Sequence, residues 1–288
     1  MASNNLSFSI VIPTYRRHEE LSECLNNLAY YFEVDVYEQH GIQIEVIVTD
    51  DAHDPELRAL LLQLYPWCHY TSGPSRGPAA NRNHGARTAI GEWIVFTDDD
   101  CLPQPGWIEA FSRAADECDV LEGQTSALGT RYRADMECPI NESGGYLWSC
   151  NFAIRRTVFL EMGGFDETFP APAMEDVELN ARINKANLRR RFLPHALVLH
   201  PWRRRKGLDY VKAHARSVAN YVRLHPEKSD YFSFTSQSLK SLRSIKNAIQ
   251  DSYTHMIFRG SLRRIALEMT GHYFAWFYVR RLGSTATK

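Results

Sequence analysis

The sequence predicts an α/β fold in which helices flank a mainly parallel sheet. Short runs rich in Val and Ile alternate with segments whose apolar residues recur at helical spacing, and the alternation continues through the first 200 residues. Such runs, with little polar alternation, are typical of parallel strands buried on both faces. From Gly207 onward the pattern is helical almost throughout, which predicts a C-terminal helical extension over 206–288.

Several elements have a local reason in the sequence. Pro13 ends the first β-branched run, while Asp54 and Pro55 supply the N-cap and first position of the second helix. The predicted strands are Phe8–Tyr15, Ile42–Thr49, Cys68–Thr71, Glu92–Thr97, Val120–Gln124, Ser149–Ile154 and Phe192–His200. The predicted helices are His18–Phe32, Pro55–Tyr65, Pro78–Ile90, Pro105–Cys118, Thr157–Met162 and Met174–Leu188. Residues 126–145 look irregular, which is typical of a lid loop.

The bulk composition excludes several classes of protein. A chain of 288 residues with 44% hydrophobic content can bury a sizeable core. The N-terminus lacks the pattern of a signal peptide, and no apolar run approaches the roughly 20 residues that span a bilayer. None of the six cysteines has the Cys-x-x-Cys spacing of zinc or redox sites. A cytoplasmic protein with reduced thiols is the expectation.

Charge is unevenly distributed along the chain. Residues 203–288 hold 17 Lys and Arg against 5 Asp and Glu, whereas residues 1–202 hold 16 against 29. An acidic body with a basic tail predicts two roles in one chain. In the tail, basic residues alternate with aliphatic and aromatic ones, a pattern that is also typical of helices on a membrane surface. Packing against the body or a second subunit, as in a homodimer, is the preferred interpretation, membrane contact is the alternative, and no nucleic-acid-binding module is recognisable.

Three consecutive carboxylates, Asp98, Asp99 and Asp100, follow the apolar run that ends at Phe96. The carboxyl ends of parallel strands are where ligands bind in such folds, and Asp50 and Asp51 follow another strand. A plain turn explains one or two such residues, but three repel one another unless a cation compensates. Carboxylate oxygens suit Mg²⁺ or Mn²⁺ bridged to phosphates, so a turn and a metal site both remain open.

Neither a P-loop nor a GxGxxG motif is present, which argues against P-loop nucleotidases and dinucleotide-binding folds. Six motifs instead resemble those of family 2 glycosyltransferases of the GT-A fold, in the family's order and over roughly residues 8–202. They are SIVIPTYRR (9–17), EVIVTDDAHD (45–54), RGPAANRNHGA (76–86), WIVFTDDDCLP (93–103), CNFAIRRTVFLEMGGFDETF (150–169) and MEDVELNARINKAN (174–187). The resemblance implies a GT-A catalytic domain over 1–205, with a nucleotide-sugar half to about residue 125 and an acceptor half over 126–205.

The resemblance implies that one surface binds a nucleotide sugar, with a UDP-sugar as the favoured donor. By match, the nucleotide-binding residues are Pro13, Thr14, Tyr15, Asp50, Asp51, Arg76, Asn81, Asp98 and Asp99. The usual Gly-Ser after the acidic pair is replaced here by Ala52-His53, a departure in the loop. Trp148 and Asn151 match the acceptor side, and the acceptor itself (a glycan, a lipid-linked carrier or a small molecule) stays open.

The resemblance also implies a metal site and a catalytic base. Asp98 and Asp100 match the DXD pair, with Asp100 ranked first as metal ligand, and Asp99 leaves the register open. His200, which ends the last strand, matches a position that coordinates the metal or diphosphate, and a nitrogen ligand favours Mn²⁺ over Mg²⁺.

Asp176 is the expected general base, with Glu175 as the alternative, because an acceptor hydroxyl needs a carboxylate to take its proton. Acidic residues in a first helical turn also complement the helix dipole without any catalytic role. The resemblance implies an inverting transferase, and the absence of the Gln-x-x-Arg-Trp pattern of processive synthases favours the addition of a single sugar. A sugar nucleotidyltransferase and a non-catalytic sugar-nucleotide-binding protein remain alternatives.

Overall fold

An eight-stranded sheet organises the first of two units into which the chain divides. The computed structural model describes residues 6–33, 40–169 and 172–285. The first unit comprises Met1–Leu128, Pro139–Glu167 and Glu175–Pro201, and the second comprises Gly129–Cys138, Thr168–Met174 and Trp202–Lys288. Residues 1–5, where the sequence analysis sought a signal peptide, lie outside the described residues.

The first unit alternates strands and helices along the chain. Its strands are β1 (Leu6–Thr14), β2 (Ile42–Asp50), β3 (Cys68–Ser72), β4 (Trp93–Phe96), β5 (Leu102–Pro103), β6 (Val120–Leu128), β8 (Phe152–Arg155) and β9 (Arg190–Pro201). Its helices are α1 (His18–Glu33), α2 (Pro55–Leu64), α3 (Pro78–Thr88), α4 (Trp107–Ser112), α5 (Arg156–Glu161) and α6 (Glu175–Lys185), with a 3₁₀ turn at Ala115–Glu117. The strand order in the sheet is β3-β2-β1-β4-β8-β6-β9-β5.

The sheet is mostly parallel, which confirms the predicted α/β fold. β1 runs parallel to β2 and β4, β2 to β3, and β6 to β9. β8 is antiparallel to both β4 and β6, and β5 is antiparallel to β9. The alternating pattern did not indicate this reversal, because β8 follows a long irregular segment in place of the helical crossover that parallel strands require.

Both faces of the central strands are buried, since successive residues enter two separate cores. Phe8, Ile10 and Ile12 of β1 pack in one core, which α1, α2 and α4 cover. Val11, between them, packs in the other core beside residues of α3, α5 and α6. A Cβ atom at Gly85 would lie 2.5 Å from Val11 Cγ1, so only glycine lets α3 approach β1 this closely.

Two element bounds differ from the sequence prediction. The helix expected over Pro105–Cys118 ends at Ser112, where i→i+3 hydrogen bonds take over and form the 3₁₀ turn. β6 extends to Leu128 because it pairs with β9 along its whole length, so the segment expected to be irregular from residue 126 begins as a strand.

A buried carboxylate, Glu122 in β6, fixes the loop that leads to β8. It accepts hydrogen bonds from the N–H groups of Gly145, Tyr146 and Leu147 at 2.9, 2.9 and 2.8 Å, and it pairs with Arg190. Burial alone would raise the pKa of Glu122, but the backbone donors and Arg190 outweigh it and lower the pKa below its usual value.

The second unit contains three long helices and a short ribbon. The helices are α7 (Leu208–Leu224), α8 (Phe234–His255) and α9 (Ser261–Thr285), with a 3₁₀ helix at Pro226–Phe232, and the ribbon pairs β7 (Met136–Glu137) with β10 (Arg203–Arg204). Asp135 is fully buried and lies 2.8 Å from Arg133 Nε and 2.9 Å from Arg263 Nη1. Despite burial, these cations lower the pKa of Asp135 to about 2.

Across the described residues, every helix is too short or too polar to cross a bilayer.

Replacing Glu122 with Gln should destabilise the protein. The neutral side chain loses the ion pair with Arg190, and its NH₂ group, a donor, would face backbone N–H groups that are also donors. We expect a loss of ~3 kcal/mol or more in the free energy of unfolding, measured with denaturant at pH 7, as for a broken buried ion pair. Since the folded pKa is lowered, the Glu122 contribution is present above the unfolded pKa and disappears as pH falls through the folded one. Glu117→Gln, at an exposed site, is the control, and equal stability of both variants would contradict this role.

Candidate active site

The candidate active site lies at the carboxyl ends of the central parallel strands. Thr14 at the end of β1 stands opposite Asp50 at the end of β2, and both are buried, as is Pro13. β4 runs parallel beside β1, so Asp98–Asp100 follow at the same edge of the sheet. The acidic residues therefore meet where the sequence analysis expected them.

Asp99 is held by the end of β1 and the loop after it. Its Oδ2 atom accepts a hydrogen bond from Thr14 Oγ1 at 2.9 Å, and its Oδ1 atom accepts one from Arg17 Nη1 at 2.8 Å. The same Arg17 atom lies 3.2 Å from Asp100 Oδ2. Burial raises the pKa of Asp99, while Arg17 opposes the rise. Arg17 thus supplies part of the compensating charge that the sequence analysis assigns to a metal ion.

Asp98, Asp100, Cys101 and His200 form a cluster in which one potential ligand atom from each lies within 4.8 Å of the others. The Nε2 atom of His200 is 3.6 Å from Asp100 Oδ1. Burial lowers the pKa of His200, so the ring is neutral near pH 7. Its Nδ1–H donates to the Pro201 carbonyl at 2.8 Å, which leaves the Nε2 lone pair facing the carboxylate.

This arrangement fits a divalent cation. Two carboxylates and a neutral imidazole are a ligand set that Mn²⁺ and Mg²⁺ accept, and the backbone contact of Nδ1 orients the ring as outer contacts do in metal sites. Burial raises the pKa of the Cys101 thiol well above its usual value, so this sulfur is protonated near neutral pH. The cluster contains Asp98 and Asp100 but not Asp99, whose two oxygens contact Thr14 and Arg17.

Arg82 in α3 joins the acidic loop to the first turn of α6. Its Nη2 atom donates to Asp98 Oδ1 at 2.5 Å, and its Nη1 atom donates to Glu175 Oε1 at 3.2 Å. The Arg82 side chain is 5% exposed. Burial disfavours its charge, but Asp98 and Glu175 outweigh that effect and raise the pKa of Arg82, so the guanidinium stays protonated. One buried cation therefore links a carboxylate of the acidic loop to one in the first turn of α6.

The two candidate bases have different surroundings at the start of α6. Glu175 is 4% exposed, whereas Asp176 is partly exposed. Burial raises the pKa of Glu175 to about 7; the charge of Asp176 adds to the rise and Arg82 opposes it. Burial also raises the pKa of Asp176, against the N–H of Val177, which donates to its Oδ1 at 2.8 Å, and the charge of Arg82. Asp176 is thus the less buried residue of the two.

Asp50 and Asp51 bind the protein's own backbone. Asp50 accepts hydrogen bonds from N–H groups two and four residues later, at 2.8 and 2.6 Å. Asp51 accepts from the N–H groups of Ser75 and Gly77, both at 2.8 Å. These carboxylates shape the two loops that border the expected nucleotide pocket, and their contact with base or ribose stays a prediction.

The other expected nucleotide residues divide into buried and exposed ones. Asn81 is buried, accepts from Thr49 Oγ1 at 2.6 Å and donates to the Thr49 carbonyl at 2.8 Å, which ties α3 to β2. Arg76 is exposed and pairs with Glu167 Oε2 at 2.8 Å. Tyr15 is 56% exposed at the sheet edge. Of these, Arg76 and Tyr15 are the side chains accessible to a ligand.

Two aromatic residues precede β8 on the expected acceptor side. Tyr146 and Trp148 stack with ring centroids 5.2 Å apart and planes 14° apart, and Tyr146 is half exposed. Asn151, also expected at the acceptor, is buried and donates to the carbonyls of Gln124 and Ala196 at 2.7 and 2.9 Å. Its amide is therefore engaged in cross-links within the sheet.

Sequence reasoning missed Arg17, Arg82 and Cys101 as members of the site. Arg17 and Arg82 lie inside quoted motifs, and Cys101 directly follows Asp100. A signal was available for the arginines, because five carboxylates predicted at one edge require cations and both arginines follow elements that lead to that edge.

Comparisons with known proteins agree with this geometry. Residues 9–148 match the pattern described as glycosyl transferase family 2, and residues 146–224 match the one described as glycosyltransferase like family 2. The pre-mycofactocin glycosyltransferase of Mycobacterium tuberculosis is 30% identical over 179 residues, which cover 54% of this chain and 37% of that protein. The chain thus spans well under half the length of this curated relative.

Solved structures show the same fold. TarS of S. aureus, residues 1–349, aligns with a TM-score of 0.59 at 17% identity, covering 96% of this chain and 92% of that one, and it is also solved with UDP-GlcNAc. The mannosyltransferase PcManGT of Pyrobaculum calidifontis, in complex with GDP-Man and Mn²⁺, aligns with a TM-score of 0.56 at 18% identity, covering 93% and 86%. The predicted GT-A fold is confirmed, and the chain belongs to glycosyltransferase family 2.

Proposed function

We propose that this chain is a metal-dependent, inverting glycosyltransferase that moves one sugar from a nucleotide diphosphate sugar to an acceptor hydroxyl. The observation that carries the proposal is the shared cation: Arg82 contacts Asp98 of the metal-type cluster and Glu175, the neighbour of the candidate base. A donor site and a base at one sheet edge are what a single-displacement transfer requires.

Asp98, Asp100 and His200 are the residues that would hold the metal. When bound, a divalent ion supplies Lewis-acid stabilisation of the charge that develops on the leaving diphosphate. We propose Mn²⁺ or Mg²⁺, with Mn²⁺ favoured by the imidazole ligand. The Mn²⁺ complex of the structural neighbour PcManGT supports this choice.

The donor we propose is a UDP-sugar. TarS, which shares the fold, is solved with UDP-GlcNAc, although PcManGT is solved with GDP-Man. The exposed side chains of Tyr15 and Arg76 are available to the nucleotide. Asp50, Asp51 and Asn81 act on the pocket by fixing its loops.

Asp176 acts as the general base in this proposal. Its raised pKa strengthens it as a proton acceptor, and its partial exposure leaves it open to an acceptor. Glu175, paired with Arg82, holds the start of α6. Direct attack by the deprotonating hydroxyl on the anomeric carbon, from the face opposite the leaving group, inverts the configuration.

The acceptor is a glycan, a lipid-linked carrier or a small molecule, and the Tyr146–Trp148 stack offers a flat apolar face of the kind on which a sugar ring packs.

All six cysteines are free thiols, as expected in the cytoplasm, which we keep as the proposed location. Peripheral contact with the inner face of a membrane through the C-terminal helices, and a homodimer, stay predictions.

Removing a metal ligand should weaken metal binding without unfolding the protein. Asp100→Asn and His200→Gln should each weaken Mn²⁺ binding in the presence of UDP at least ~10-fold, since even outer-shell partners matter that much. Titration calorimetry measures the binding, and Asp116→Asn, at an exposed site, is the matched control. Exhaustive chelation should abolish release of the nucleoside diphosphate from the donor. Full activity without metal, or release of pyrophosphate instead, would contradict the proposal.

Asp176→Asn should reduce kcat at least ~100-fold, the usual contribution of a general base. In the parent protein kcat/KM should rise with pH through the raised pKa of Asp176, because only the carboxylate accepts the proton. The variant should lose this acid limb while it binds UDP and Mn²⁺ normally. Near-normal turnover of Asp176→Asn together with a large loss in Glu175→Gln would transfer the role to Glu175.

Arg82→Met should destabilise the protein by ~3 kcal/mol, because it leaves the buried Glu175 and the partly buried Asp98 without their shared cation. Denaturant unfolding at pH 7 measures the change. Arg87→Met, at a site 54% exposed, should change stability by less than ~0.5 kcal/mol. If both variants unfold at the same denaturant concentration, the Arg82 bridge does not stabilise the fold.

A further inference from the structure

A groove between α7 and α9 in the second unit has a volume of about 410 Å³. The two helices run parallel here, since Lys212 contacts the Phe274 ring and, one turn later on both helices, Arg216 contacts the Tyr278 ring. The polar side chains that line the groove are Thr168, Arg216, Asn220, Arg223, Tyr278 and Arg281.

Three guanidinium groups line this groove, and none of the described residues that line it carries a carboxylate. Several other arginines of the unit pair with acids, as Arg263 does with Asp135 and Arg264 with Asp251. Among the described residues, Arg216 and Arg223 form no ion pair with a carboxylate. The groove therefore gathers cations of a region, residues 203–288, in which 17 Lys and Arg outnumber 5 Asp and Glu.

Helix electrostatics explains only part of this charge. A cation in the last turn of a helix interacts with its dipole, which accounts for Arg223 near the end of α7 at Leu224. Arg216 lies two turns earlier, beyond the reach of that effect. Its Cζ atom lies 5.6 Å from the centroid of the Tyr278 ring, a cation–π contact that explains Arg216 but not the other two arginines of the groove.

We propose that this groove binds a phosphate group. Guanidinium groups match phosphate oxygens in pairs of hydrogen bonds, and several of them together suit a group that carries up to two negative charges. The Tyr278 hydroxyl lines the same groove, and Asn220 orients Arg223 there, because its Oδ1 atom accepts from Arg223 Nε and Nη2 at 3.1 and 2.9 Å. Ala219 and Leu282 add an apolar wall, which accommodates the organic portion attached to the phosphate.

The phosphate belongs to a lipid headgroup or to a soluble phosphorylated molecule, and the chemistry at the groove is the same for both. The groove lies wholly in the second unit, so this inference does not depend on the proposed transferase activity. A failed transferase assay would not argue against the phosphate site, and absence of phosphate binding would not argue against the transferase activity.

The test uses the full chain and two kinds of probe. In the soluble arm, pyrophosphate and glycerol 3-phosphate are titrated by calorimetry at constant ionic strength. The double variant Arg216→Gln/Arg223→Gln should lose at least ~10-fold in affinity, since charge-assisted hydrogen bonds to phosphate are the stronger ones. The control is Arg243→Gln/Arg280→Gln, which removes two exposed charges of the same unit outside the groove. Circular dichroism checks that both variants are folded.

In the lipid arm, sedimentation with phosphatidylcholine vesicles is compared with and without phosphatidylglycerol. If the groove variant loses vesicle binding and the control variant does not, a lipid headgroup is the source of the phosphate. If the groove variant loses affinity for the soluble phosphates but not for vesicles, a soluble molecule is the source. Equal loss in the groove and control variants would reduce the effect to unspecific charge and overturn the proposal. Absence of binding by the parent protein in both arms would overturn it as well.

Discussion

Repulsion among carboxylates at one edge of the sheet is the constraint on which the site depends. Two like charges 4 Å apart repel by ~4 kcal/mol at the effective dielectric of a protein surface, which is a large fraction of the stability of a domain. Two guanidinium groups, which keep their charge at any physiological pH, offset this repulsion. Arg17 lies between Asp99 and Asp100, and Arg82 lies between Asp98 and Glu175. A bound cation would neutralise the negative charge that these two arginines do not offset.

The same constraint orders the three aspartates. Asp99 is committed to Thr14 and Arg17, whereas Asp98 and Asp100 face His200. Residues 98–101 form a turn, closed by a hydrogen bond from the Cys101 N–H to the Asp98 carbonyl at 3.1 Å, and this turn separates the middle aspartate from its neighbours. The placement of Asp98 and Asp100 near His200 thus follows from the backbone of this turn.

Much of the fold could be predicted from the sequence, because runs such as Ile42–Thr49 and the capped helix at Asp54 carry local signals that the structure retains. The direction of β8 could not, since it depends on a loop without periodicity and on pairing with distant strands. At the site, the motifs indicated Asp98, Asp100 and Asp176 as candidates, but a motif does not distinguish a ligand contact from loop architecture. Asn151 matched the acceptor side, yet its amide holds two strands together.

Asp135 has a consequence for anyone who would divide this chain. A cut at residue 205, where the basic tail starts in sequence, retains Asp135 and Arg133 but removes Arg263. The shortened protein would keep a carboxylate that was fully buried, stripped of one of its cations and of the helix that covers it. Because the second unit draws two short segments from within the first 175 residues, a fragment that folds cleanly has to be designed around spatial neighbours rather than around the order of residues along the chain.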